Sequence, residues 1–214
     1  KEESDGNGSF VAFVASCEKI PQRPRGNMND IVPTRIPSAD ARYPARLRER
    51  LSNAAPAELT TLSNLALLAL PKTALFCSAR CPGDAILRTY DQAARWRDDG
   101  RCVISGFHSP VEQECLRILL RGTPPIILCP ARGLPQRIPP ELRQPLANGH
   151  LLILSCFPER ERRVTAALAS RRNEFVAALA DEVWFAHITP GGRNEQLARR
   201  LAQWGVPWSA PARP

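Results

Sequence analysis

The chain has 214 residues, 43% of them hydrophobic, enough to bury the core of one α/β domain with extensions. Its 29 Lys and Arg against 21 Asp and Glu give a formal charge of +8, and nearly all the basic residues are Arg; a phosphate-bearing partner and an Arg-rich solvated surface both account for that excess. No apolar run approaches the roughly 20 residues of a membrane span, and no CxxC or paired Cys/His spacing marks a metal site. The seven cysteines read as buried, reduced thiols, with Cys77, Cys102 and Cys129 in or beside apolar runs. With neither a membrane span nor a signal peptide, the expected compartment is the cytoplasm.

Residues 1–27 are polar and Gly-rich and precede the only methionine, Met28, which reads as the natural start; the segment before it reads as foreign to the natural protein or as a loosely attached extension. Residues 28–70 read as an N-terminal helical cap. Leu47 and Leu51, then Leu59, Leu62, Leu65 and Leu68, fall at helical spacing and predict two short helices. Residues 71–210 read as the main domain, because strand-like and helix-like segments alternate there. Strands are expected at 73–77, 102–104, 126–129, 151–155 and 183–188, with a short terminal strand at 206–208. Helices are expected at 85–96, 111–120, 140–146, 165–180 and 195–204. Strands alternating with helices of this length predict an α/β fold, a Rossmann-like doubly wound, mostly parallel sheet with helices on both faces.

In such a sheet the turns after the parallel strands share the carboxyl edge, where ligands bind. Four turns are expected there: Cys77-Ser78-Ala79-Arg80, Ser105-Gly106-Phe107-His108, Cys129-Pro130-Ala131-Arg132-Gly133 and Thr189-Pro190-Gly191-Gly192-Arg193-Asn194-Glu195. Small residues let a ligand approach the backbone, helix starts offer free N–H groups, and Arg adds a fixed bidentate charge, so the set points to a phosphate. Tight turns with solvated arginines are the plainer reading of any single one. GxGxxG and GxxxxGK[ST] are both missing, so neither a dinucleotide nor a P-loop nucleotide is indicated, and no cofactor is expected. His108 is either a base or ligand contact or a hydrogen-bonded structural residue; His150 and His187 read as structural. Phe107 and Phe157 are the best candidates for stacking a base.

Several segments resemble the DNA-processing protein A family (DprA, also called Smf). Tyr43-Pro44 followed by the run from Leu67 to Arg80 is similar to the family's tyrosine-proline pair and "lL..p.iaivGSR" segment. Val103-Ile104-Ser105-Gly106 resembles the start of "vvSGlA.GiD..AH", and Phe157 with Arg172-Asn173 resembles "F..RNR" at a longer spacing. The chain departs from the pattern at Cys77-Ser78-Ala79-Arg80, at 108–112 and at 190–195. The resemblance implies a Rossmann-like core, non-catalytic binding of single-stranded DNA or a nucleotide phosphate, a recombinase partner, a homodimer and a role in DNA uptake. The residues it and the turns put forward are Ser78, Ala79, Arg80, Ser105, Gly106, His108, Arg132, Arg172, Asn173, Gly191, Gly192 and Arg193.

The last turn also resembles the "PGGxGTxxE" of LOG-type phosphoribohydrolases, the lysine decarboxylase-like proteins. Arg172, Asp181, Pro190, Gly191, Gly192 and Glu195 follow that order without the Gly-Thr pair. This implies an alternative, hydrolysis of a nucleoside monophosphate by Glu195 with Arg172 or Arg193 on the phosphate. A regulatory domain that senses a nucleotide or binds a partner is a third reading. The geometric expectation is that the four turns share one edge, with Arg80 and Arg172 pointing into a cleft.

Overall fold

The computed structural model describes residues 31–78 and 80–211. The expected extension 1–27, Met28 and Ala79 lie outside the described residues. Strands Lys72–Phe76 (β3), Cys102–Ser105 (β4), Ile126–Leu128 (β5), Leu151–Ser155 (β6) and Glu182–Phe185 (β7) lie parallel in the order β6-β5-β4-β3-β7. The short strand Trp208–Ser209 (β8) pairs in parallel with β7 and ends that side. β3, β4 and β6 are buried at every position, as expected of parallel strands covered on both faces.

Helices cover both faces. Gly83–Asp98 (α2), Pro110–Leu119 (α3) and Pro140–Ala147 (α4) place Trp96, Cys115, Leu119 and Leu146 in one core with Leu75, Val103, Ile126 and Ile153. Ala45–Leu51 (α1), Ala166–Leu179 (α5) and Arg193–Gln203 (α6) place Leu47, Phe175, Val176 and Leu201 in the other, with Ala74, Ile104, Ile127 and Leu152. The sheet is therefore the Rossmann-like, doubly wound structure that the alternation predicts. From β3 the chain builds β4, β5 and β6 to one side, then crosses to lay β7 on the other, so the crevice at the reversal opens between β3 and β7.

The segment before β3 differs from its expectation in two strands. α1 is the first expected helix, but residues 59–68 are not helical: Glu58–Ser63 is a strand (β2) and Leu65–Ala69 a 3-10 turn. β2 lies antiparallel between β6 and a further strand, Thr34–Pro37 (β1), and extends the sheet. The three-residue spacing of Leu59 and Leu62 imitates a helix, yet in an extended chain it sends the two side chains to opposite faces, Leu59 into one core and Leu62 into the other. The intervening Thr60 and Thr61 are β-branched and favour the strand. Ser63, at φ 87, turns the chain out of it.

Among the described residues no helix is long and apolar enough to cross a membrane. The six described cysteines are unpaired. Burial pushes the thiols of Cys102, Cys115 and Cys156 up to about 12, so they are packing groups rather than nucleophiles at neutral pH.

Candidate nucleic-acid interface

Because β3, β4, β5 and β7 are parallel, the four turns that follow them lie on one edge, as expected. The turns are tied to one another. Ser78 Oγ donates to His187 O at 2.8 Å, and Asn194 Nδ2, from the first turn of α6, donates to Ser78 Oγ and to His187 O at 3.1 Å each. These bonds close the crevice between β3 and β7, so the Ser78 hydroxyl is already used by the fold.

The Ser-Gly turn after β4 is held in the same way. Ser105 Oγ donates to Leu75 O at 2.8 Å and accepts from Phe107 N at 3.2 Å, which fixes Phe107 at φ 46 with its ring buried. Ser109 caps α3 and forms a capping box with Glu112, and Pro110 occupies the first turn. Glu112, 6% exposed, does more than a capping box requires. Its Oε2 accepts from His108 N at 2.8 Å and Ser109 N at 3.1 Å, while Oε1 accepts from Cys77 N at 2.9 Å. One carboxylate thus joins the end of β3 to the turn after β4.

Arg172 lies beneath this arrangement and not in an open cleft. It is 4% exposed, with Nη1 donating to Cys129 O at 3.1 Å and Nε to Asn173 Oδ1 at 2.8 Å. The guanidinium occupies the space over Gly106 that a side chain would need: a Cβ there would stand 1.1 Å from Nη1. Burial pulls the pKa of Arg172 below the usual arginine value, and the negative Glu112 holds part of it back. The expectation that Arg172 points into the cleft beside Arg80 is therefore corrected. In the sequence, Arg172 stands in an Ala-rich helix, and nothing local shows that the missing side chain of Gly106 makes room for it.

Arg80, Arg132, Arg193 and His108 are exposed on this edge. Arg80 and Arg132 have no ion-pair partner among the described residues, and Arg193 has only a long contact to Ala166 O at 3.5 Å. Ser155 Oγ fixes the backbone of Arg132 through its carbonyl at 2.7 Å and leaves the guanidinium free. Beside it lies a groove of about 780 Å³ lined in part by Arg132, Arg137, Arg162, Gln136 and Leu62. The loop after β6 adds exposed Arg160 and Arg163. Phe107 and Phe157, expected to stack bases, are buried, and Phe157 instead receives the guanidinium of Arg171 over its ring at 5.6 Å.

The hydrolase constellation does not form. Glu195 Oε2 accepts from Gly191 N at 2.9 Å and pairs with Arg199 at 3.3 Å, so the carboxylate is held between the turn before α6 and its own helix. Gly191 turns the chain at φ +70, and Gly192 passes so close to Thr189 O that a Cβ would stand 2.8 Å away; these glycines shape the turn. Among the described residues no group of His, Cys, Asp or Glu is placed to hold a metal ion.

The sequence model of the family described as DNA recombination-mediator protein A matches residues 34–188, from β1 to just past β7. The chain belongs to this family. Among solved structures, the DNA processing protein A of Streptococcus pneumoniae matches with a TM-score of 0.67 at 20% identity, over 82% of this chain and 61% of that one. The chain thus spans less than two thirds of that relative. DNA processing protein A of Helicobacter pylori, whose structure was described for its single-stranded DNA binding mode, matches with a TM-score of 0.64 at 20% identity, over 84% of this chain and 80% of that one. At such identities the likeness establishes a shared fold. No curated protein sequence matches the chain. The family pattern also bears on Glu112, a residue outside the expected set. In "SGlA.GiD" the acid stands seven positions after the serine, and in this recombination-mediator chain that position is Glu112, just as Arg172-Asn173 stands for its "RN". Asn194 gave no comparable signal, since its role depends on the distant Ser78.

Proposed function

We propose that the chain binds single-stranded nucleic acid, foremost DNA, along the carboxyl edge of its sheet and performs no chemistry on it. The observation that carries this reading is the surplus of cationic side chains on that edge: Arg80 and Arg132 are exposed and unpaired among the described residues, Arg137 and Arg162 line the groove beside Arg132 together with Glu159 and Glu161, and Arg160 and Arg163 are exposed on the loop after β6. Guanidinium groups spread over several loops suit the evenly spaced phosphates of a backbone. Membership of the recombination-mediator family and the single-stranded DNA binding mode described for the H. pylori protein support the same reading. With Phe107 and Phe157 buried, base stacking contributes little, so sequence preference is weak.

Fluorescence anisotropy with a labelled oligothymidylate tests the reading. Affinity should fall with salt, and Arg80→Ala and Arg132→Ala should each flatten the plot of log K against log salt by about 0.7, one phosphate's share for a single strand, without changing stability by more than about 0.5 kcal/mol. Salt-independent binding, or variants that bind like the parent, would refute it. A homodimer and a recombinase partner rest on the family resemblance alone; sedimentation of the protein by itself and with recombinase filaments checks both.

A further inference from the structure

In doubly wound sheets the amides at a strand-end turn and helix start commonly hold a terminal phosphate. Here the corresponding amides after β3 and β4 have an occupant from inside the fold. Glu112 places one oxygen on Cys77 N and the other on His108 N and Ser109 N. Glu112 is 6% exposed, and buried Arg172 lies against Gly106 of the same turn. A capping box needs only the Ser109 bond. The bonds to Cys77 and His108 supply, from a side chain, the contacts that an anion bridging the two turns would make.

We propose that Glu112 is the specificity-determining residue of this edge: its carboxylate stands where a terminal phosphate would sit and so restricts the protein to internal phosphodiesters gripped by surface arginines. This rests on the reading that the carboxyl edge binds nucleic acid, and it adds which phosphates are accepted. A nucleotide or a 5′-phosphorylated end meets a filled site with a resident negative charge. A strand laid over Arg80 and Arg132 does not enter that site.

The test has two arms. In the first, the parent protein is titrated with two oligothymidylates that differ only in a 5′-phosphate, and its melting is followed with inorganic phosphate and with adenosine 5′-monophosphate. Affinities equal within about twofold, and no stabilisation beyond that of chloride at equal ionic strength, are expected; a preference of about tenfold for the phosphorylated end, or saturable stabilisation by phosphate, would overturn the proposal. In the second arm Glu112→Ala empties the site beside Arg172, and inorganic phosphate should now raise its melting temperature saturably. A cooperatively melting Glu112→Ala that gains nothing from phosphate would also overturn it. Should that variant fail to fold, the parent arm decides alone. If the parent binds neither oligonucleotide, the nucleic-acid reading fails while the phosphate melts still judge Glu112.

Discussion

The two ends of the sheet handle charge in opposite ways. At the amino end Asp181 accepts from Arg46 Nη1 at 2.8 Å and from Lys72 N at 2.8 Å, and lies 3.8 Å from Lys72 Nζ. Lys72, 3% exposed, donates to Leu68 O and Leu70 O, and Arg50 donates to Ala178 O and Ala180 O at the end of α5, where cations favour the helix dipole. Every one of these charges ends on a partner within the fold. At the carboxyl end an inner layer is equally closed, with Glu112 on three amides and Arg172 on Cys129 O, but an outer layer of Arg80, Arg132, Arg162 and Arg163 faces solvent. Buried charges at both ends therefore serve the fold, and only the outer layer is surplus to it. Burial, more than residue type or position on the carboxyl edge, separates the two roles.

The sharpest way to break that comparison is Gly106→Ala. The new Cβ would stand 1.1 Å from Arg172 Nη1 and 1.8 Å from Cζ, so the guanidinium must leave its site and give up Cys129 O. A loss of about 2–3 kcal/mol is expected in urea unfolding. A near-neutral result would mean that Arg172 is loosely held and free to reach the cleft. Asp181→Asn should cost less, about 1–2 kcal/mol at neutral pH, because it weakens the bonds to Arg46 and Lys72 on a half-exposed carboxylate. Burial alone would raise the pKa of Asp181, but the Arg46 and Lys72 hydrogen bonds and the Lys72 charge outweigh it and leave the value below the usual aspartate range. A depressed folded pKa adds stability that is complete above the unfolded pKa near 4 and is lost as pH falls through the folded value. The deficit of Asp181→Asn should therefore be full at pH 7 and shrink below about pH 4; a deficit that stays constant into acid would show that the charge contributes nothing.

The alternation of strands and helices made the fold legible, because each strand from β3 to β7 is a short apolar run set off by a helix of matching length. The strand β2 was not legible: Leu59 and Leu62 share a spacing with helices, and only the two cores on either side of the sheet show that they face apart. That the four turns share one edge followed from parallel order alone. Which residues stay free on that edge did not. Ser78 and Arg172 look available in the sequence, and each is taken up by a group brought close only by folding, Ser78 by His187 and Asn194, Arg172 by the bare backbone of Gly106. Glu112 was half legible, since the Ser109–Glu112 capping box is local while its bond to Cys77 N crosses between strands.

Arg171 and Arg172 give the finest test, because they are neighbours on one helix with opposite surroundings. Arg171 is exposed, and its guanidinium rests over the Phe157 ring at 5.6 Å; Arg172 is enclosed and bonded to Cys129 O and Asn173. An exposed cation–π contact contributes roughly 0.5–1 kcal/mol. Removing Arg172 takes away its bonds to Cys129 O and Asn173 and leaves a void over Gly106, a loss of about 2–3 kcal/mol. Arg171→Ala should thus shift the urea midpoint slightly and leave a cooperative transition, whereas Arg172→Ala should lower it several times further. Equal, small shifts would show that the inner layer of the carboxyl end is not closed, and the distinction between fold-serving and surplus arginines would then have to be redrawn with Arg172 among the groups that reach the ligand.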